Sequence, residues 1–126
     1  MATNILGWKL DRHERDALLQ RFPPAYEVVV CDHVTLKFGD RRPFPPDCAR
    51  AEIVGFANDR EGVQAAIVEI DGSSVRPDGG VYHITWSLAS GRKAKESNDV
   101  IARLGWAPLP VAVSVNLQPA SWSPGA

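Results

Sequence analysis

The sequence is poor in cysteine, with only Cys31 and Cys48 among its 126 residues. Cys31 lies in an apolar stretch and Cys48 in a proline-rich one, so we expect two reduced thiols, as in a cytoplasmic protein. Neither cysteine has the spacing of a zinc site, and the three histidines are too scattered to add a ligand cluster. The sequence therefore predicts no metal site and no cofactor.

Long apolar runs are missing too, since no stretch approaches the roughly 20 residues that a membrane-spanning helix needs. Residues 1–16 lack the basic and then apolar pattern of a signal peptide. Excess charge is also absent, because 14 Lys and Arg stand against 15 Asp and Glu, for a net charge of −1. This balance argues against a protein held on nucleic acid by overall charge, although it allows a local basic groove. We expect a single domain over residues 1–126, with 118–126 as a loosely packed tail.

Two helices and five strands follow from periodicity and turn residues. An apolar stripe and the Asp11–Glu14 spacing of a capping box predict a helix at 10–22, and a shorter helix is predicted at 98–104. Runs of β-branched and apolar residues predict strands at 26–38, 52–58, 63–70, 82–88 and 111–117. Because too little helix separates these strands for a βαβ succession, we expect an α+β domain with a mainly antiparallel sheet.

Two of the predicted strands carry the same pattern, a histidine followed two residues later by a threonine. His33 and Thr35 lie in HVTL, and His83 and Thr85 lie in HITW. Successive side chains on a strand point to opposite faces, so each histidine shares a face with its threonine and is backed by an apolar layer. One such pattern occurs by chance in many strands, but two in one small domain indicate a functional site.

Two imidazoles that face one cleft can act as a general base and a general acid in the same displacement. The ordinary imidazole pKa of about 6.5 allows one ring to be neutral and the other charged near pH 7. A threonine hydroxyl beside them can donate to a phosphate oxygen and stabilise charge in the transition state. This chemistry requires no metal.

These motifs resemble the two His-x-(Thr/Ser)-x motifs of the 2H phosphoesterase superfamily, and the chain looks closest to the cyclic phosphodiesterase domain of fungal-type tRNA ligases. The resemblance rests on HVTLKF, YHITWSL and KESND. It implies a compact bilobal fold with a central cleft for 2′,3′-cyclic phosphates of RNA ends or nucleotides, as in RNA processing and repair. It also implies that His33 and His83 are catalytic, that Thr35 and Thr85 bind phosphate, and that the product is a 2′-phosphate. In that family the first histidine tends to be the acid and the second the base, but the sequence leaves the two roles open.

Five further residues are candidates for substrate binding: Lys37, Arg41, Arg42, Lys95 and Ser97. The arginine pair is either a solvated turn or a phosphate-facing edge of the site. Ser97, near a predicted helix N-terminus, either helps to bind an anion or caps the helix. We expect Tyr82 and Trp86 in the core and His13 on the surface.

Two alternative functions remain open at this point. The first is a phosphodiesterase for another nucleotide, such as a cyclic oligonucleotide or a cyclic ADP-ribose phosphate. The second is a non-catalytic module that binds RNA or nucleotides. The intact histidines and threonines disfavour the second alternative.

Overall fold

The computed structural model describes residues 4–38 and 50–123. Within these ranges the elements are, in chain order, β1 (Ile5–Leu10), α1 (Arg12–Arg21), β2 (Val28–Val29), β3 (His33–Phe38), β4 (Ala51–Asn58), β5 (Val63–Ile70), β6 (His83–Leu88), α2 (Glu96–Leu104), β7 (Ala107–Val115) and β8 (Leu117–Trp122). No helix in the described part of the chain is long and apolar enough to cross a membrane.

The strands form two sheets. A three-stranded sheet has the order β3-β1-β8, and a five-stranded sheet has the order β2-β6-β5-β4-β7. Every neighbouring pair in both sheets is antiparallel. The prediction of an α+β domain with mainly antiparallel strands and two helices is therefore confirmed.

The predicted strand at 26–38 is broken in the middle. Its first part, β2, belongs to the five-stranded sheet, and its second part, β3, belongs to the three-stranded sheet. Cys31 between them has a φ of 42°, in the left-handed region, so the extended backbone is interrupted there. The apolar run at 26–38 does not indicate from the sequence that the chain passes from one sheet to the other at this point.

The three-stranded sheet also contains two strands that the sequence did not predict. β1 pairs with β3 on one side and with β8 on the other. The expectation of a loosely packed tail is therefore wrong for residues 118–122. The backbone groups of this segment form hydrogen bonds with β1 in the sheet. Gly7 permits the close approach of β1 to β3, since a Cβ there would lie 2.1 Å from the carbonyl oxygen of Val34.

The main core fills the space between the two sheets. Trp8 and Val34 from the first sheet contribute to the same buried cluster as Ile53, Val68 and Trp86 from the second. A smaller cluster lies under α2 and includes residues of that helix and of β5. Tyr82 and Trp86 belong to the core, as expected.

Candidate functional site

The first motif strand, β3, presents its histidine on the face opposite the core. Val34 and Leu36 are buried in the main cluster, so the alternating residues His33 and Thr35 point the other way. His33 Nδ1 lies 3.0 Å from Asp32 Oδ2. A carboxylate only accepts hydrogen bonds, so Nδ1 carries the proton and Nε2 of the neutral ring is left with its lone pair.

Asp32 is the charged centre of this half of the site. Lys9 Nζ lies 2.6 Å from Asp32 Oδ2, and Arg12 also pairs with the carboxylate. Burial opposes ionisation of Asp32, but the hydrogen bonds from Lys9, His33 and Arg12 outweigh it and hold the pKa of this carboxyl well below its usual range. Asp32 is therefore a stable anion next to the first imidazole.

The protonation of His33 is set by opposing influences. Burial lowers its pKa below the ordinary value, and Lys9 acts in the same direction, whereas the hydrogen bond and the charge of Asp32 act to raise it. Trp122 covers one side of the imidazole, with the ring centroids 4.7 Å apart. Lys9 Nζ in turn lies 4.4 Å from the centroid of Trp122. The imidazole is thus fixed by the carboxylate and by the indole of β8.

The second motif strand, β6, is buried along its whole length. His83 Nδ1 lies 2.9 Å from the carbonyl oxygen of Val81. This partner also only accepts, so Nδ1 donates and Nε2 again has the free lone pair. Burial lowers the pKa of His83, the Val81 carbonyl opposes that shift, and the charges of Arg76 and His33 lower the pKa further. His83 consequently favours the neutral form.

The hydroxyl of Thr85 connects β6 to the start of α2. Its Oγ1 lies 2.9 Å from Ser97 Oγ and donates weakly to the carbonyl of Ala94 at 3.3 Å. Ser97 is fully buried, and no side chain caps α2, whose N-cap residue is Lys95. The interpretation of Ser97 as a cap is therefore wrong, and its contact holds Thr85 in place.

The two motifs adjoin where the sheets meet. The backbone N–H of Cys31 donates to the Thr85 carbonyl at 2.9 Å, and that of Val30 donates to the Trp86 carbonyl at 3.0 Å. These bonds join the segment before His33 directly to β6. Both histidines point away from the shared core, and the charge of His33 influences the pKa of His83. The structure thus joins the two motif segments by backbone hydrogen bonds, and the two imidazoles lie close enough for the charge of one to act on the other.

The other predicted residues have mixed placements. Lys37 and Lys95 are exposed, the first on β3 and the second at the start of α2. Arg41 and Arg42 lie outside the described residues. His13 is exposed on α1, as expected. Among the residues that the structure describes, no group of three or more His, Cys, Asp or Glu side chains is arranged to hold a metal ion.

Sequence reasoning missed three residues of the site: Asp32, Arg76 and Trp122. Asp32 stands directly before His33, a signal that was available in the sequence. Arg76 lies in a turn-rich segment, where its side chain is 10% exposed and bonds to Asp78 and Asn98. Neither Arg76 nor Trp122 has a local pattern that would reveal its proximity to a histidine.

No protein-family model, curated protein or solved structure matches this chain. Its function is therefore argued from the geometry of the two motifs.

Proposed function

We propose that this chain is a metal-independent phosphodiesterase of the 2H type, which hydrolyses 2′,3′-cyclic phosphates of RNA ends or nucleotides to 2′-phosphates. The observation that carries the proposal is the pair of adjoining His-Thr strands in which each Nδ1 bonds to an acceptor. Each ring then has Nε2 available for proton transfer, which is what a general acid and a general base require.

The surroundings of the rings support a division of roles. His83 donates to a neutral carbonyl and has Arg76 and His33 as positive neighbours, so it suits the neutral general base. His33 donates to an ionised carboxylate, which favours the charged imidazolium and suits the general acid. The first histidine as acid and the second as base is also the arrangement that the family resemblance implies.

The reaction then follows in one displacement. His83 Nε2 removes a proton from water, and the water oxygen forms a bond to phosphorus. The bond between phosphorus and the 3′ oxygen breaks, and His33 Nε2 gives its proton to that oxygen as it leaves. The products are a 2′-phosphate and a free 3′ hydroxyl, and the proton gained by His83 returns to solvent or to His33 before the next turnover.

The threonines and Arg76 would act on the phosphate charge. Thr35 has no hydrogen-bond partner for its hydroxyl among the described residues, so its proton is available to a phosphate oxygen. Thr85 must release the weak bond to Ala94 to do the same. Arg76 is the cation whose charge acts on His83, and it would add electrostatic stabilisation from that side.

A cytoplasmic location belongs to this proposal, since RNA ends and nucleotides are found there. Cys31 is compatible with such a location because it is a buried free cysteine. Burial raises the pKa of its thiol to about 11, so the reactive thiolate is scarcely formed.

The decisive test is hydrolysis of a nucleoside 2′,3′-cyclic phosphate by the whole chain, with and without EDTA. We expect release of the nucleoside 2′-phosphate in both conditions. His13→Ala, an exposed histidine on α1, serves as the matched control for His33→Ala and His83→Ala. Full loss of activity with EDTA, restored by a divalent metal, would contradict the two-histidine mechanism.

A substrate panel separates the alternatives. If a cyclic oligonucleotide or a cyclic ADP-ribose phosphate is hydrolysed but the 2′,3′-cyclic phosphate is not, the proposed substrate is wrong and the two-histidine mechanism still applies. Binding of the cyclic nucleotide without turnover of any member would indicate a binding module.

A further inference from the structure

Lys9 lies beside the first motif histidine, although the proposed mechanism gives it no role. It pairs with His33 across β1 and β3, and the side chains of directly paired residues share one face of a sheet. This face is the outer one, because Val34 and Leu36 at the alternate positions are buried in the core. The side chain of Lys9 is 37% exposed, so its ammonium group stands at the surface next to the site.

Two donors converge on one oxygen of Asp32. Lys9 Nζ lies 2.6 Å from Asp32 Oδ2, and His33 Nδ1 lies 3.0 Å from the same atom. Arg12, the other cation on this carboxylate, pairs with Oδ1 instead. A carboxylate oxygen that already binds an ammonium group attracts a second positive donor less strongly, because the two cations repel each other. Lys9 is thus the cation placed to compete directly with the imidazolium for Asp32.

The indole of Trp122 holds Lys9 in this position. Trp122 extends from β8 across β1, since a Cβ on Gly7 would be 3.0 Å from its Cη2 atom. The centroid of its ring lies 4.4 Å from Lys9 Nζ and 4.7 Å from the centroid of the His33 ring. A cation over an indole gains an attraction in addition to its ion pair. Two attractions therefore restrict an ammonium group that would otherwise move freely in solvent.

Lys9 acts on the side of the imidazole that faces away from the reaction. Asp32 and Lys9 stand at Nδ1, whereas proton transfer in the proposed mechanism takes place at Nε2 on the other side of the ring. Burial lowers the pKa of His33 most, the carboxylate raises it, and the charge of Lys9 lowers it again. Two further charged or titratable groups surround this pair: Arg12 of α1, on Asp32, and His83 of β6, whose pKa responds to the charge of His33. Lys9 can therefore affect the reaction without touching the phosphate.

We propose that Lys9 is a positioning residue, which shares Asp32 Oδ2 with His33 and thereby makes the imidazolium a stronger proton donor to the leaving 3′ oxygen. The inference rests on the proposed function, in which His33 is the general acid. A carboxylate alone would stabilise the imidazolium and make it slow to release its proton. A cation on the same oxygen weakens that hold, which brings the acid closer to the strength that proton transfer near neutral pH requires.

The protonation of His33 can be followed without turnover. The histidine ring signals are titrated by NMR, and His33→Asn identifies the signal of His33. In Lys9→Met, which keeps an apolar stem but removes the charge, the pKa of His33 should rise above the wild-type value. Lys9→Gln removes the same charge and should act alike if Lys9→Met folds poorly. Lys9→Arg restores a cation and should return the pKa toward the wild-type value. A pKa that stays the same or falls in Lys9→Met would overturn the proposal.

Arg12→Met is the matched variant, because it removes a cation from the other oxygen of the same carboxylate. Since Arg12 binds Oδ1 and is 57% exposed, its loss should raise the pKa of His33 less than the loss of Lys9 does. Lys93→Met, at an exposed lysine before α2, should leave this pKa unchanged. Equal shifts in Lys9→Met and Arg12→Met would show that only the total charge around Asp32 matters, and they would overturn a specific role of Lys9.

Rates of cyclic phosphate hydrolysis provide the second measurement. In Lys9→Met the fall in rate at high pH should move to higher pH, opposite to the shift expected for Asp32→Asn. The value of kcat at the optimum should fall severalfold, since a weaker acid transfers its proton more slowly. KM should stay the same, because Lys9 lies at Nδ1 and not at the reacting nitrogen. A higher KM with an unmoved pH profile would mean that Lys9 binds the substrate, and it would overturn the proposal.

The two measurements separate this inference from the proposed function. Turnover by the wild type, with the same His33 titration in Lys9→Met as in the wild type, overturns the inference alone. A raised His33 pKa in Lys9→Met, with no hydrolysis of any cyclic phosphate by the wild type, overturns the proposed function. Lys9 then remains the residue that controls the protonation of His33.

Discussion

The two His-Thr strands share a sequence pattern but place their imidazoles in different surroundings. His33 has about a quarter of its side chain exposed, an ionised carboxylate on Nδ1 and an indole on one side. His83 is 9% exposed as a residue and has only a backbone carbonyl on Nδ1. The pKa of both rings is lowered mainly by burial, but only the first ring has an anion that opposes this effect.

This difference shows how one short motif can serve two chemical roles. The motif fixes the direction of the ring and the position of the hydroxyl, whereas the partner of Nδ1 biases the protonation state. A carboxylate stabilises the imidazolium, and a neutral carbonyl among positive charges does not. The comparison therefore predicts that the two histidines are not interchangeable.

The largest expected effect is the loss of either histidine. His33→Ala and His83→Ala should each lower kcat by about 10²–10⁴-fold, the usual contribution of general acid–base catalysis. The wild-type rate should fall at low pH, where the base is protonated, and at high pH, where the acid is deprotonated. His83→Ala should lose the fall at low pH, and His33→Ala should lose the fall at high pH. Rates of cyclic phosphate hydrolysis over pH measure both.

If His33→Ala instead lost the fall in rate at low pH and His83→Ala lost the fall at high pH, the acid and base roles inferred from the surroundings would be reversed. The double variant should cost less than the product of the single effects, because the rings act as a unit. His13→Ala should keep both limbs.

The second expected effect is that of Asp32→Asn, which removes the charge that distinguishes the two rings. Since the carboxylate raises the pKa of His33 against burial, its loss should lower that pKa further. The high-pH limb of the rate should then move to lower pH, and kcat near neutral pH should fall roughly tenfold as the acid loses its proton. Titration of the His33 ring by NMR gives the pKa directly, apart from activity.

Asp16→Asn is the matched control, because Asp16 is an exposed aspartate on α1. A His33 titration that is identical in Asp32→Asn and the wild type would reduce Asp32 to a structural residue.

The site illustrates what the sequence can and cannot predict. β5 was predicted at its observed bounds, and β6 was predicted one residue too early, because apolar runs between turn residues determine such strands. The face on which each imidazole lies was predictable as well, because successive side chains along a strand point to opposite faces. The break at Cys31 and the pairing of β8 were not predictable, because they depend on contacts between distant segments.

The roles of Asp32 and Arg76 have the same explanation. An adjacent aspartate usually points away from its neighbour on a strand, and only the tertiary positions of Lys9 and Arg12 hold this one beside the ring. Arg76 acts on the pKa of His83 through its charge, and its side chain is held by Asp78 and Asn98. The spacing of these residues in the sequence therefore predicts neither the position of Asp32 beside His33 nor that of Arg76 near His83.

The third prediction compares the two threonines. Thr85→Val leaves the buried Ser97 hydroxyl without its partner, so the free energy of unfolding should fall by about 1–3 kcal/mol. Thr35→Val breaks no hydrogen bond to a described residue, and its effect on stability should stay within about 0.5 kcal/mol. Urea denaturation measures both values. Both variants should lower kcat, but less than the histidine variants do. Equal destabilisation by the two substitutions would remove this difference between the strands.

The smallest expected effect is on stability as a function of pH, and it concerns the more buried ring. Burial holds the pKa of His83 below the ordinary value of about 6.5 that it has in the unfolded chain. Below that pH the unfolded chain binds more protons than the folded protein, so stability is complete above it and is lost as the pH falls through the folded pKa. Each unit of pKa difference is worth about 1.4 kcal/mol.

His83→Asn keeps a donor for the Val81 carbonyl but does not titrate. The loss of unfolding free energy between about pH 7.5 and about pH 5.5 should therefore be smaller in this variant than in the wild type, as measured by urea denaturation. His13→Asn is the control and should keep the wild-type difference. A loss that is larger in His83→Asn than in the wild type would mean that the folded protein prefers His83 charged, and the neutral base would then have to be His33.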